Sequence, residues 1–335
     1  MTVFFFLPCT TAQLQRMPAN LDDYLAWQFA ETELNPFLGV YHWILQTYLQ
    51  LRGAGMDVCL TNEVPDEGIV LSHVDCLPYG IRTTAKRMVV VALVDREVLL
   101  PHAALHLTHN PEQHLRFGVA YQYMPPWPQI GLVKRDAARA DRFENIYFSG
   151  NRDNLHGYFG SARFDDLLRQ FHLHLTIPAP SNWHDFSQAD LVLAVRNFGE
   201  QDAHLNKPAL KLFNAWQAGV PSIMGCESAL RVEGRPGTDY LEVTSEAQVE
   251  SALAQLAGSA AMRRSLVQAG HVAGAARDQA AILQHWLRLF DTVLFPRYAA
   301  WRKQPWTRLG FQLSGAIRER VLWRSRTRFT QRSLR

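Results

Sequence analysis

The chain is poor in cysteine. Only Cys9, Cys59, Cys76 and Cys226 occur among 335 residues, and no two stand at CxxC spacing. That argues against a disulfide framework and a thiolate zinc site and suits a reducing cytoplasm. Long apolar runs are also missing: none approaches the roughly 18 residues that a membrane-spanning helix needs. The N-terminal run Val3–Leu7 has no basic residue before it and stops at Pro8, so it reads as a first strand rather than a signal segment. No Asp-x-Asp pair ends a strand-like run. Asp22-Asp23, Asp153 and Asp165-Asp166 fall in helical or loop contexts, so a metal held by paired carboxylates is not expected, nor any bound cofactor.

What is present is enough apolar material for two domains, with 47% hydrophobic residues over 335 positions. The net charge of +3 is unevenly distributed. Residues 302–335 hold ten Lys/Arg (Arg302, Lys303, Arg308, Arg318, Arg320, Arg324, Arg326, Arg328, Arg332, Arg335) against the single acid Glu319, a net +9. The remaining chain carries −6.

The apolar pattern alternates between strand and helix. Val3–Leu7, Asp57–Thr61, Gly68–His73, Met88–Asp95 and Leu105–His109 are short, nearly continuous apolar runs, which implies strands covered on both faces. Asn35–Arg52 has helical spacing and ends at Gly53 and Gly55. After Met124-Pro-Pro-Trp-Pro-Gln129, whose three prolines exclude helix, a second alternation begins. Strands are expected at Ile146–Ser149, Leu173–Ile177, Ala189–Val195, Val220–Met224 and Tyr240–Val243. Helices are expected at Ser161–Phe171, Pro208–Ala218, Ser245–Leu256 and Ala260–Ala269, with a long one from Ala275 to Trp301 interrupted near Pro296. This is the α/β pattern of two Rossmann-like domains.

One stretch carries the most chemistry: Asn206-Lys-Pro-Ala-Leu-Lys-Leu-Phe-Asn-Ala-Trp-Gln-Ala-Gly-Val-Pro221. Pro208 reads as a first helical position and Gly219 as the stop. Lys207 and Lys211 then crowd a helix N-terminus, where cations oppose the macrodipole. Either they are solvated surface lysines, or an anion such as a diphosphate restores the balance.

This segment, with Cys226-Glu-Ser-Ala229 after it, resembles the donor-nucleotide segment of GT-B-fold glycosyltransferases. The resemblance implies two Rossmann-like domains facing across a cleft, and transfer of a sugar from a nucleotide-sugar donor. It places Lys211 on the donor phosphates. Asn214 falls where many members carry a glutamate, and Glu227, followed by Ser228, is the substitute expected on ribose hydroxyls. Gly150, after the first strand of the second half, and Arg196, at the end of a later one, are expected at the same ligand. Trp183, His184 and Asp185 either surround a nucleobase or serve as core and caps. In the first half Gly39-Val-Tyr-His-Trp43 resembles the glycine-containing loop on the acceptor side, so Gly39, His42 and Trp43 are acceptor-side candidates, the alternative being core packing.

Inverting transfer to a hydroxyl needs a general base. Asp95, His109 and His73 stand at strand ends of the first half, with Asp95 first because a carboxylate closing the apolar Val89–Val94 run is awkward unless used. Structural hydrogen bonds, or an Asp95–Arg96 ion pair, are the alternatives.

The basic tail interleaves Trp301, Trp306, Phe311, Leu313, Ile317, Leu322, Trp323 and Phe329 with arginines. It reads as an amphipathic helix for an anionic membrane surface, with a disordered solubilising tail and nucleic-acid binding as alternatives. The expected organisation is an acceptor domain over 1–123, a linker over 124–142, a donor domain over 143–285, a helix crossing back over 286–301 and the tail over 302–335. The expected protein is a cytoplasmic glycosyltransferase, peripheral at the inner membrane face. Its acceptor is a glycan or a lipid-linked acceptor, with a role in cell-envelope polysaccharide. A nucleotide-sugar epimerase or a non-catalytic binding protein are the alternatives.

Overall fold

The computed structural model describes residues 2–199 and 204–332, with side chains through Leu322 in the last helix. The chain divides into two compact units. The first comprises Met1–His109, Gln113–Met124 and Leu283–Arg335; the second comprises Asn110–Glu112 and Pro125–Ile282.

The first unit is built on six parallel strands: β1 (Val3–Phe6), β2 (Val58–Thr61), β3 (Gly68–His73), β4 (Arg87–Ala92), β5 (Leu105–Thr108) and β6 (Tyr121–Tyr123), in the order β2-β1-β3-β4-β5-β6. β1 pairs on both sides, Val3 lying opposite Val58 and Ile69. Every residue of β3 and β5 is buried, and all of β4 after Arg87, as continuous apolarity requires. β6 escaped the sequence reading because it is a partly exposed Tyr-Gln-Tyr edge with no apolar run. Short helices α1 (Thr11–Gln15) and α2 (Tyr24–Ala30) were also unforeseen. The helix expected over 35–52 starts late: a π-helical turn at Tyr41–Leu45 runs into α3 (Gln46–Gly53).

The second unit holds β7 (Asn145–Tyr147), β8 (His174–Thr176), β9 (Leu191–Ala194), β10 (Ser222–Gly225) and β11 (Leu241–Val243), all parallel, in the order β11-β10-β9-β7-β8. Its helices are α4 (Ala162–Phe171), α5 (Leu210–Ala218), α6 (Ser228–Glu233), α7 (Glu246–Gly258) and α8 (Ala260–Gly274). Phe148, Phe164, Phe186 and Phe213 are fully buried in its core, each contributing about 1.5–3 kcal/mol by leaving water. α5 begins at Leu210, two residues later than expected, and Gly219 ends it in the left-handed region at φ 71°.

The stretch expected as a linker, 124–142, falls within the second compact unit from Pro125 on. Arg135 and Arg139 from this stretch hold the buried Asp190 carboxylate, which also accepts the Glu144 and Asn145 amides at 2.9 and 3.0 Å. Burial alone would raise the Asp190 pKa, but these donors hold it below the usual carboxylate value. A carboxylate so enclosed ties residues 135–145 to the start of β9.

The chain leaves the second unit within α9 (Gln279–Leu289). A π-helical turn, Phe290–Leu294, leads into α10 (Phe295–Lys303), and α11 (Pro305–Arg332) follows. Pro296 sits in the first turn of α10, where its missing N–H costs little. The Tyr298 hydroxyl accepts from Gly68 N at 3.1 Å and donates to Lys86 O at 2.5 Å, and Trp301 Nε1 donates to Thr84 O at 2.7 Å. The tail is therefore not a detached appendage. Arg318 Nε donates to Pro101 O at 3.0 Å, Glu319 meets His102 Nε2 at 3.0 Å, and Leu322 packs on the core of the first unit. Gly315 abuts the His102 ring, where a Cβ would collide with it. The side chains of Trp323, Arg324, Arg326, Arg328, Phe329, Arg332 and Arg335 lie outside the described residues.

Candidate functional site

In each parallel sheet the strand order reverses once, between β1 and β3 in the first unit and between β7 and β9 in the second. Ligands of open α/β sheets gather beyond the carboxyl ends of the strands at such a point. Candidate chemistry is found at both.

At the second-unit switch, β7 leads through Phe148 and Ser149 to Gly150, and β9 leads through Val195 to Arg196. A Cβ on Gly150 would stand 3.1 Å from Lys211 Nζ and 3.1 Å from the Phe148 ring. The missing side chain is thus what admits the Lys211 ammonium to the end of β7, 5.3 Å from the centre of the Phe148 ring. Lys211 comes from the first turn of α5, whose N-cap is Ala209 and offers no capping side chain. A glycine backbone and an ammonium carried by the first turn of α5 therefore meet at one strand end.

Arg196 and Glu227 also meet here. Arg196 Nη1 reaches both Glu227 oxygens, and Glu227 is buried at 4% exposure. The carboxylate expected on ribose hydroxyls is thus held by Arg196. A carboxylate accepts along about four lone-pair directions, so the pair retains capacity for hydroxyl donors. Ser228 Oγ accepts from Asn110 Nδ2 at 2.8 Å, and Asn110 was not foreseen from the sequence. Asn214 leaves the donor set: it is buried and its Oδ1 accepts from the Gln129 amide at 3.1 Å, pinning the proline segment to α5. Lys207 precedes α5 by three residues and so lies outside its first turn, contrary to expectation. Trp183 donates to Pro178 O, and Asp185 accepts from Ser187 N, the structural alternative for that trio.

At the first-unit switch a cavity of about 310 Å³ opens beyond β1, β3 and β4, lined among others by Pro8, Gly39, Tyr41, His73, Asp75 and Asp95. Asp95 is one of the few non-glycine residues in the left-handed region, at φ 55°. Asp tolerates that conformation better than most residues, and such outliers concentrate at functional sites. The Asp75 carboxylate binds Arg96 at 2.7 Å, and Arg96 Nη1 also donates to the Asp95 carbonyl oxygen at 3.1 Å. Asp75 was missed. It lies in the one-turn helix after β3, and the strand-end rule that selected His73 also covers it.

The histidines fare differently. His73 Nδ1 accepts from Asp75 N at 3.1 Å and Nε2 reaches Val94 O at 3.2 Å, which makes it a neutral ring with both nitrogens engaged. Burial, outweighing the nearby Asp75 charge, lowers its pKa. With no lone pair left for a substrate proton, His73 is withdrawn as a base. His109 donates Nδ1–H to Met124 O at 2.7 Å, and its Nε2 has no hydrogen-bond partner among the described residues. Its ring lies tilted by 41° against Trp43 with centroids 3.9 Å apart, and burial pushes its pKa down to about 3. That is an acceptor at neutral pH and a weak base. Trp43 is 4% exposed and packs against His109 rather than forming an open acceptor platform. His42 sets its edge against Trp43 at 5.9 Å. Neither lines the cavity; Gly39 does.

His109 makes a stability prediction. A histidine with a lowered folded pKa binds fewer protons than the unfolded chain, so stability falls as pH drops below 6.5 toward 3. Between pH 6.5 and 5 that one group should cost about 2 kcal/mol. His106, pushed by burial to about 4, adds to the same slope. Denaturant unfolding across pH should show a shallower acid limb for His109→Phe than for the native chain. An unchanged slope would refute the assignment.

No family model matches the chain, and no curated protein sequence matches it either. Solved structures do match. AviGT4, a glycosyltransferase involved in avilamycin A biosynthesis, is 10% identical, with 88% of this chain and 98% of AviGT4 covered at TM-score 0.52. HepE from Anabaena, crystallised with UDP and glucose, is 12% identical, with 88% and 100% covered at TM-score 0.49. WaaG, a glycosyltransferase involved in lipopolysaccharide biosynthesis, is 9% identical, with 87% and 100% covered at TM-score 0.45. With two parallel α/β units in one chain and AviGT4 matching nearly end to end, this protein has the GT-B fold.

Proposed function

We propose that the chain is a glycosyltransferase that moves a sugar from a nucleotide-sugar donor to a hydroxyl of a glycan or lipid-linked acceptor without a metal ion. The observation that carries the reading is the Lys211 ammonium seated over Gly150 at the strand-order reversal of the second sheet. AviGT4, which has this fold, is a glycosyltransferase. The leaving diphosphate gains negative charge as the bond to the anomeric carbon breaks. Lys211, assisted by Lys207 and the N-terminus of α5, supplies the fixed positive charge that a metal provides elsewhere. Arg196 and Glu227 orient the nucleoside. The acceptor hydroxyl binds in the first-unit cavity, its oxygen bonds to the anomeric carbon, and its proton passes to Asp95. The acceptor is a cell-envelope glycan, reached from the cytoplasmic side.

A thermal-shift panel of UDP, GDP, TDP, ADP and CMP sugars tests this. Saturation at about a hundred times Kd adds about 2.7 kcal/mol, which corresponds to a rise of about 5–10 °C for one base. Product analysis then separates transfer from epimerisation, since an epimerase converts the donor with no acceptor present. Absence of any shift across the panel would overturn the proposal.

A further inference from the structure

The two faces of α11 differ in a way that the sequence alone does not resolve. Phe311, Gly315, Arg318, Glu319 and Leu322 form the inner face. Phe311 packs edge-on against Trp301, Gly315 abuts His102, Arg318 bonds Pro101, Glu319 meets His102 and Arg82, and Leu322 joins the core. On the opposite side stand Trp306 at 81% exposure, Leu309 at 47%, Leu313 at 59%, Ile317 at 63% and Val321 at 41%. Their spacing of three, four, four and four residues keeps them in one stripe, about 22 Å long at helical rise. No helix among the described residues is long and apolar enough to cross a membrane, so the stripe is not part of a span.

Charge decides what covers it. The only acid of residues 302–335, Glu319, is turned inward, while Arg302, Lys303 and Arg320 are exposed. The outer side of α11 therefore offers apolar side chains and the Arg320 guanidinium, with no carboxylate among its described residues, and Arg302 and Lys303 are exposed just before it at the end of α10. We infer that this outer stripe of α11 lies in the headgroup layer of an anionic lipid surface, with Trp306 as its interfacial anchor and the basic residues on the lipid phosphates. An anionic membrane satisfies both halves of the pattern, because the aliphatic groups enter the acyl boundary while the cations stay among the headgroups. A nucleic-acid backbone meets the cations but leaves Leu313 and Ile317 in water. A second copy of the chain would bury the stripe but oppose two segments of net +9. The inference is independent of the glycosyl-transfer reading and stands or falls separately from it.

The full-length chain tests it by co-sedimentation with vesicles of phosphatidylcholine alone or with about 30% phosphatidylserine, which sets the surface potential. Binding is expected only to the anionic vesicles, weakening with added salt. A Leu313→Asp/Ile317→Asp variant, altered only on the exposed side, should lose about tenfold or more of its partition coefficient while keeping the native melting temperature. Arg320→Gln should lose less. Failure to bind anionic vesicles, or binding that ignores the double substitution, overturns the inference. So does sedimentation showing a dimer that the double substitution dissolves, or tight RNA binding without vesicle binding.

Discussion

Replacing Asp95 by asparagine is expected to lower kcat by about 10²–10⁴-fold, the range that a positioned general base supplies. Asparagine keeps the size of the side chain and shares the tolerance of aspartate for the left-handed conformation at φ 55°. The strand end and the cavity should therefore survive, and the loss should appear in kcat rather than in the donor's binding constant or the melting temperature. The two other base candidates make the result decisive. His73 has both ring nitrogens bonded to backbone groups, and His109 is held near pKa 3 by burial. A single-turnover rate within about twofold of the native enzyme would take Asp95 out of the chemistry; effects of that size need no lost base.

The second large effect is on donor affinity. Lys211→Ala should weaken nucleotide-sugar binding by about 10–100-fold, since charge-assisted hydrogen bonds contribute about 1.5–3 kcal/mol. Calorimetry with the nucleotide that raises the melting temperature reads this directly. Gly150→Ala provides a control of a different kind, because its methyl would meet the Lys211 ammonium and the Phe148 ring, both at 3.1 Å. It keeps the charge and moves its position, so a loss of affinity there, without a loss of stability, would show that placement matters as well as charge. Unchanged affinity in Lys211→Ala would remove the site from the second-unit switch.

Much of the fold was legible because it follows from local rules. Runs such as Gly68–His73 and Leu191–Ala194 are apolar on both faces, and only strands inside a covered parallel sheet require that. The 206–221 segment announced a helix, its glycine stop and the strand beyond. What was not legible was pairing between residues distant in sequence. Nothing near Asp75 in the sequence indicates that its carboxylate takes the Arg96 guanidinium, and nothing in Asn214 points to the Gln129 amide. Glu227 was selected as a ribose contact, but its bond to Arg196 spans 31 residues and appears only once β9 and β10 are paired. The packing of the tail on the first unit was illegible for a related reason. Composition reports ten cations and one acid, but it cannot say that the one acid faces inward.

The hydrogen bonds of Tyr298 and Trp301 bear on the order in which the molecule is made. Tyr298 closes on Lys86, 212 residues earlier in the chain. At about 5–20 residues per second, a ribosome needs about 10–40 s to cover that interval. Apart from Asn110–Glu112, the second unit is a continuous stretch, Pro125–Ile282. It is therefore fully synthesised before the first unit receives the residues that bond Gly68, Lys86 and Thr84. Domains usually mature in the order of synthesis; here the later-encoded unit is complete first, and the earlier-encoded sheet waits for the end of the chain.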